Sequence, residues 1–174
     1  MSNVLIGLDS AAVAIAAALF MHVEPSNAAL IAAFLVTYAV YGYDRSKGGP
    51  EDEINRKGKT RGGKWLPAVA YLAAIAIYPE PIMLLPTVAG LLYTVRLPGI
   101  GRPKDLPGAK SIIVGSSVAG VGVGLWGWSW PVFAFMFLSV FINSVICDIR
   151  DIEGDRIHGV RTIPVMIGAK RTKL

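Results

Sequence analysis

Val132-Phe-Ala-Phe-Met-Phe-Leu-Ser-Val-Phe-Ile-Asn-Ser-Val-Ile-Cys147-Asp148-Ile-Arg-Asp151-Ile-Glu-Gly-Asp155 is an apolar run that passes without a break into three aspartates. The aspartates stand at i, i+3 and i+7, so if the helix of the apolar run continues, all three carboxylates share one face within about two turns. Three like charges so placed repel one another. A hard divalent cation such as Mg2+ or Ca2+ removes that repulsion, because oxygen ligands are what it takes. The alternative is a solvated helix end in which Arg150 and Arg156 serve as partners.

Working outward, the same kind of run recurs. Apolar stretches cover residues 4–21, 28–43, 65–78, 82–95, 111–126 and 132–147, each closed by Pro, Gly or charge. Hydrophobic residues make up 53% of the chain and charged residues 17%, against about 25% charged in soluble domains. Mean hydropathy is +0.53. Together these predict an all-α integral membrane protein with six transmembrane helices in one domain, 1–174. The third and fourth runs are short for a span and either borrow flanking residues or sit tilted in a thinned region. Gly115, Gly120, Gly122 and Gly124 in the fifth run allow close approach of a neighbouring backbone. Trp126-Gly-Trp128-Ser-Trp130-Pro131 reads as an interfacial turn, since indole rings favour the headgroup level. Asp9 interrupts the first run, which places it near the interface or facing the bundle interior. The one cysteine, Cys147, excludes an internal disulfide framework, and no cleavable signal is evident at the N-terminus.

Charge sets the expected topology. Segment 44–64 holds seven Lys and Arg residues, segment 96–110 holds four, and segment 148–174 holds six, which is every one of the 17 in the chain. The turns after runs one, three and five hold none. By the positive-inside rule both termini face the cytoplasm and the protein is a multi-pass component of the cell membrane. The net charge of +5 then needs no nucleic acid: these residues face anionic headgroups and an anionic substrate.

The acids sort with the bases. Asp44, Asp52, Asp148, Asp151 and Asp155 fall in the same three segments, and a metal-plus-phosphate site needs that combination of carboxylate and cation. Glu51, Glu53, Asp105 and Glu153 read as ordinary loop composition. His22 and His158 are too isolated for zinc. A faint repeat underlies the arrangement: an offset of 103 residues aligns Asp44 with Cys147, Arg45 with Asp148, Gly48 with Asp151 and Asp52 with Asp155. Two related helix pairs would bring their charged ends to one face and grip a polyanion from two sides.

The stretch Cys147-Asp148-Ile-Arg-Asp151-Ile-Glu-Gly-Asp155-Arg-Ile-His-Gly159-Val-Arg161-Thr162-Ile-Pro164 resembles the second aspartate-rich motif of UbiA-type membrane prenyltransferases, with Cys147 in place of a leading Asn. The basic stretch from Arg102 through Lys104 and Gly108 to Lys110 is similar to that family's loop between its fourth and fifth helices. Residues 43–55 correspond to the first motif, where Asp44 replaces an Asn and Arg45 and Gly48 replace two aspartates, leaving Asp52. The resemblance implies a partial UbiA-type helix bundle and a Mg2+-dependent transfer of an isoprenoid chain from a prenyl diphosphate to a hydrophobic, aromatic or lipid-like acceptor. It implies Asp44, Asp52, Asp148, Asp151 and Asp155 as metal ligands, and Arg45, Lys104 and Lys110 on the diphosphate. Lys104 and Lys110 stand equally as contacts to lipid headgroups.

Against the family pattern the chain reads as truncated after the second motif, with an expected partner supplying missing helices. The competing expectation is a non-catalytic, membrane-embedded binding or assembly subunit that keeps the pocket. A small transporter is the third class, and it lacks the Gly/Pro-broken helices that meet around charge at mid-membrane.

Overall fold

Ala, Leu, Ile and Val dominate the six apolar runs, and in each the backbone satisfies its own hydrogen bonds by coiling into a helix. The computed structural model describes residues 3–47, 63, 65–95, 103 and 106–173, and no strand forms among them. The helices are α1 (Asn3–Phe20), α2 (Asn27–Lys47), α3 (Trp65–Ile77), a 3-10 turn (Pro81–Leu84) leading into α4 (Leu85–Thr94), α5 (Ala109–Gly124) and α6 (Trp130–Arg150). Three short helices follow: α7 (Ile152–Ile157), α8 (Ile163–Ile167) and α9 (Ala169–Thr172). Pro81, Pro86, Pro131 and Pro164 each stand in the first turn of their element, where the missing N–H costs nothing.

Among the described residues, only α1 and α6 are both long and apolar enough to cross a membrane. Helix α2 has 21 residues, but Asp44, Arg45 and Lys47 occupy its last turn. Trp65–Ile77, Pro81–Leu92 and Ala109–Gly124 are apolar and shorter. The second motif segment also departs from a straight helix, because α6 stops at Asp151, which takes φ −99° and ψ 7°, and α7 restarts at Ile152.

Small residues form the core. Ala14, Ala29, Ala32, Ala33, Ala74 and Val121 pack around Met83 and Val36 between α1, α2, α3 and α5. A second cluster of Ala17, Ala119, Val123 and Met136 joins α1, α5 and α6. The glycines of α5 allow this approach. A Cβ on Gly122 would lie 2.9 Å from a methyl of Val13 and 3.3 Å from the backbone nitrogen of Ala14. One on Gly120 would meet Leu85 at 2.5 Å, and one on Gly124 would meet Ile82 at 2.7 Å. Gly122→Val is therefore expected to push α1 and α5 apart, at a cost of about 1–3 kcal/mol, seen as a lowered melting temperature in detergent.

The tryptophan turn divides. Trp128 and Trp130 stack edge to face at 5.2 Å and remain exposed. Trp126 instead points into the bundle and donates its indole N–H to the carbonyl of Ala14 at 2.7 Å. A buried indole N–H needs an acceptor, and the close α1–α5 contact supplies one.

Candidate functional site

Gly108 starts the assembly of the site. It takes φ 69° at the head of α5, a conformation glycine adopts at no steric cost. Its N–H donates to the carbonyl of Arg161 at 3.2 Å, pinning the start of α5 beside the segment that follows α7. Lys110, two residues on, then reaches the motif aspartates. Its Nζ lies 2.7 Å from Asp148 Oδ1 and 3.4 Å from Asp155 Oδ2. The Ser111 hydroxyl donates to the other oxygen of Asp148 at 3.2 Å, and Ser144 donates to Ser111 at 3.3 Å.

The break at Asp151 makes this convergence possible. In a straight helix Asp148 and Asp155 would lie about 10.5 Å apart along the axis, too far for both to hold one ammonium. The same break turns Asp151 aside, where Oδ1 accepts from Nε of the exposed Arg150 at 3.0 Å. Asp148 and Asp155 are buried, while Lys110 keeps about a fifth of its side chain exposed. Burial pushes the Asp155 carboxyl above the ordinary carboxylate range, with Lys110 opposing the shift and Asp148 adding to it.

Lys110, Ser144, Asp148 and Asp155 line a cavity of about 240 Å³ at its mouth, the end where the charged helix termini meet. Asp44, Arg45, Arg150, Asp151 and Cys147 also line it. Arg45 donates to the side-chain carbonyl of Asn3 at 3.1 Å and sits over the Tyr41 ring. The walls are apolar: Ile6 from α1, Val40 from α2, Pro86 and Ala89 from α4, Ile113, Val114 and Val118 from α5, and Val140 from α6. Asp9, Thr37, Ser117 and Asn143 are the polar lining away from the mouth. Thr37 donates to Ser10 at 2.9 Å.

Of the residues singled out in the sequence, Asp44, Arg45, Lys110, Asp148, Asp151 and Asp155 all line this one cavity. Asp52 and Lys104 lie outside the described residues, as do most of segments 44–64 and 96–110. Ser111, Tyr41 and Asn3 are site residues that the sequence does not announce; the only signal for Ser111 is its place beside Lys110 at the head of an apolar run.

The described residues form an all-helical bundle in which both signs of charge gather at one end of a largely aliphatic cavity, an arrangement that suits an elongated amphiphile with a polar head. No family model matches the chain, and no solved structure matches it. Among curated proteins it is similar to the digeranylgeranylglyceryl phosphate synthase of Natronomonas pharaonis, with 30% identity over 100 residues. The match covers 56% of this chain and 35% of that protein, so the chain spans about a third of the length of its relative.

Proposed function

We propose that the chain is a membrane-embedded prenyltransferase module of the UbiA type, which binds a prenyl diphosphate at its cytoplasmic mouth and passes the isoprenyl group to a hydrophobic acceptor. The observation that carries this reading is the cavity itself: Lys110, Arg45 and the motif aspartates at one end, aliphatic side chains from five helices beyond them. The similarity to a digeranylgeranylglyceryl phosphate synthase supports the same reaction class.

Each part of the substrate has a counterpart. Lys110 and Arg45 present cations to diphosphate oxygens. The isoprenyl chain lies along Val40, Ile113, Val114, Val118 and Val140, which keep water from the reacting carbon. The bond between that carbon and the diphosphate oxygen breaks with its electron pair on the diphosphate. A new bond forms to the acceptor, which sheds a proton.

Mg2+ would, when bound, offset charge developing on the leaving diphosphate. The donor set fits such an ion. Asp148 and Asp155 converge on a point that already attracts a cation, the Lys110 ammonium. No group of three His, Cys, Asp or Glu that would hold a metal occurs among the described residues. Mg2+ commonly takes only one or two carboxylates, with substrate phosphates and water completing its shell. Asp44 in α2 and Asp151 at the break between α6 and α7, which line the same cavity, are the further proposed ligands, with Asp52 from the first motif.

A lipid setting is supported by the outward faces of the helices. Leu19 is 65% exposed, Leu72 69% and Trp65 85%, an arrangement that water penalises and a bilayer does not. All six long elements then cross, with the shorter ones tilted or in a thinned region. In a background lacking Cys147, single cysteines at Ser26 and Ser129 are expected to react with an impermeant thiol reagent on intact cells. Cysteines at Lys104 and Lys170 are expected to react only after lysis, and labelling at Lys104 beforehand sinks the topology.

The second reading, binding without turnover, draws on the first motif, where Arg45 and Gly48 stand in place of two aspartates. Incubation of the purified chain with labelled geranylgeranyl diphosphate and Mg2+ separates the two. Retention of label together with formation of a prenylated lipid supports the enzyme, and retention alone supports the binding subunit.

A further inference from the structure

The cation position between Asp148 and Asp155 is held by the chain's own Lys110. We infer that the site takes a divalent cation and a diphosphate only as one unit, with Lys110 as an internal cation that the incoming pair displaces; this rests on the prenyl-diphosphate reading above.

The argument is one of charge and distance. Lys110 Nζ is 2.7 Å from Asp148 Oδ1 and 3.4 Å from Asp155 Oδ2, and both aspartate side chains are at least nine-tenths buried. Mg2+ and Mn2+ bind carboxylate oxygens more closely than an ammonium does, at about 2.0–2.1 Å for Mg2+. The ammonium and a divalent cation compete for these two oxygens, because two positive charges held so close together repel each other. A free metal ion would have to expel Lys110 from two carboxylates and leave it without their charge. A diphosphate changes that balance. It brings several negative oxygens to the mouth, gives the displaced ammonium a partner as strong as the one it leaves, and adds phosphate oxygens to the metal's shell beside the aspartates.

Ser111 favours this exchange. Its hydroxyl holds the second oxygen of Asp148 at 3.2 Å, so the carboxylate keeps its orientation when Lys110 leaves. Lys110 lines the cavity and keeps a fifth of its side chain exposed, so its flexible stem is not locked in place when a ligand enters. By linkage, diphosphate must raise the affinity for metal by the same factor as metal raises that for diphosphate.

Manganese retained by the detergent-solubilised 174-residue chain, measured by equilibrium dialysis and EPR against empty micelles, tests this. The wild type is expected to retain little Mn2+ alone and at least about tenfold more with inorganic diphosphate, a typical coupling factor. Lys110→Met leaves two buried carboxylates uncompensated and is expected to bind Mn2+ alone at least about tenfold more tightly than the wild type, with the enhancement by diphosphate correspondingly reduced. Lys110→Gln, which keeps a hydrogen-bond donor beside Asp148, is expected to behave alike and guards against misfolding of the first variant. Unchanged Mn2+ affinity in both folded variants overturns the inference. So does wild-type binding that is indifferent to diphosphate. A wild type that retains no Mn2+ even with diphosphate removes the diphosphate-site reading as well, a pattern distinct from the other two.

Discussion

Val114→Trp is expected to lower the affinity for geranylgeranyl diphosphate on the order of 10²–10³-fold while leaving inorganic diphosphate binding nearly unchanged. Val114 lies on the chamber wall, one turn of α5 beyond Lys110. An indole there fills space that the isoprenyl chain would otherwise occupy. Each buried methylene contributes about 0.8 kcal/mol, so displacing one five-carbon unit costs about 3–4 kcal/mol. The diphosphate contacts at Lys110 and Arg45 are not touched. Calorimetric titration with both ligands in the presence of Mg2+ reads the difference. Equal loss for both would mean that the substitution has disturbed the mouth, and no loss for either would mean that the chain does not lie in this cavity.

The second large effect is expected at Asp148. Saturating prenyl diphosphate and Mg2+ stabilise a folded protein by about 2.7 kcal/mol at a hundred times the dissociation constant. For a chain of this size each kcal/mol raises the melting temperature by about 2–4 °C, so a rise of roughly 5–11 °C follows from the same relations. Asp148→Asn is expected to abolish that rise. The substitution removes a buried charge facing Lys110 and weakens the oxygen offered to a metal, while an amide of the same shape keeps the Ser111 contact available. The apo variant is itself expected to melt lower than the wild type, because Lys110 loses the nearer of its two carboxylates. A ligand-induced rise that survives both Asp148→Asn and removal of Mg2+ by EDTA would favour a lipid-headgroup role for the basic residues.

Much of the architecture was legible in the chain. Each of the six apolar runs became a helix, because a run of small and aliphatic residues carries its helical preference locally. The glycines of α5 marked a close contact, and Gly122 is the one whose added Cβ would meet α1. The motif aspartates and Lys110 were legible as residue types, since a site for phosphate and metal needs both signs of charge.

What the sequence by itself determined, then, was the set of helices and which of their ends carry charge. Tertiary structure alone decided how those charges pair. Periodicity places Asp148, Asp151 and Asp155 on one face of an ideal helix, yet the break at Asp151 sends one aspartate to Arg150 and folds the outer two around a lysine about forty residues earlier. The tryptophans divided for a similar reason: Trp126 found a backbone acceptor on α1, which no local pattern reveals. Depth in the cavity is likewise a property of the packed bundle, because its walls come from α1, α2, α4, α5 and α6 at once. Local sequence sets which way a side chain leans from its own helix, but the partner it meets depends on which other helix the core brings against it.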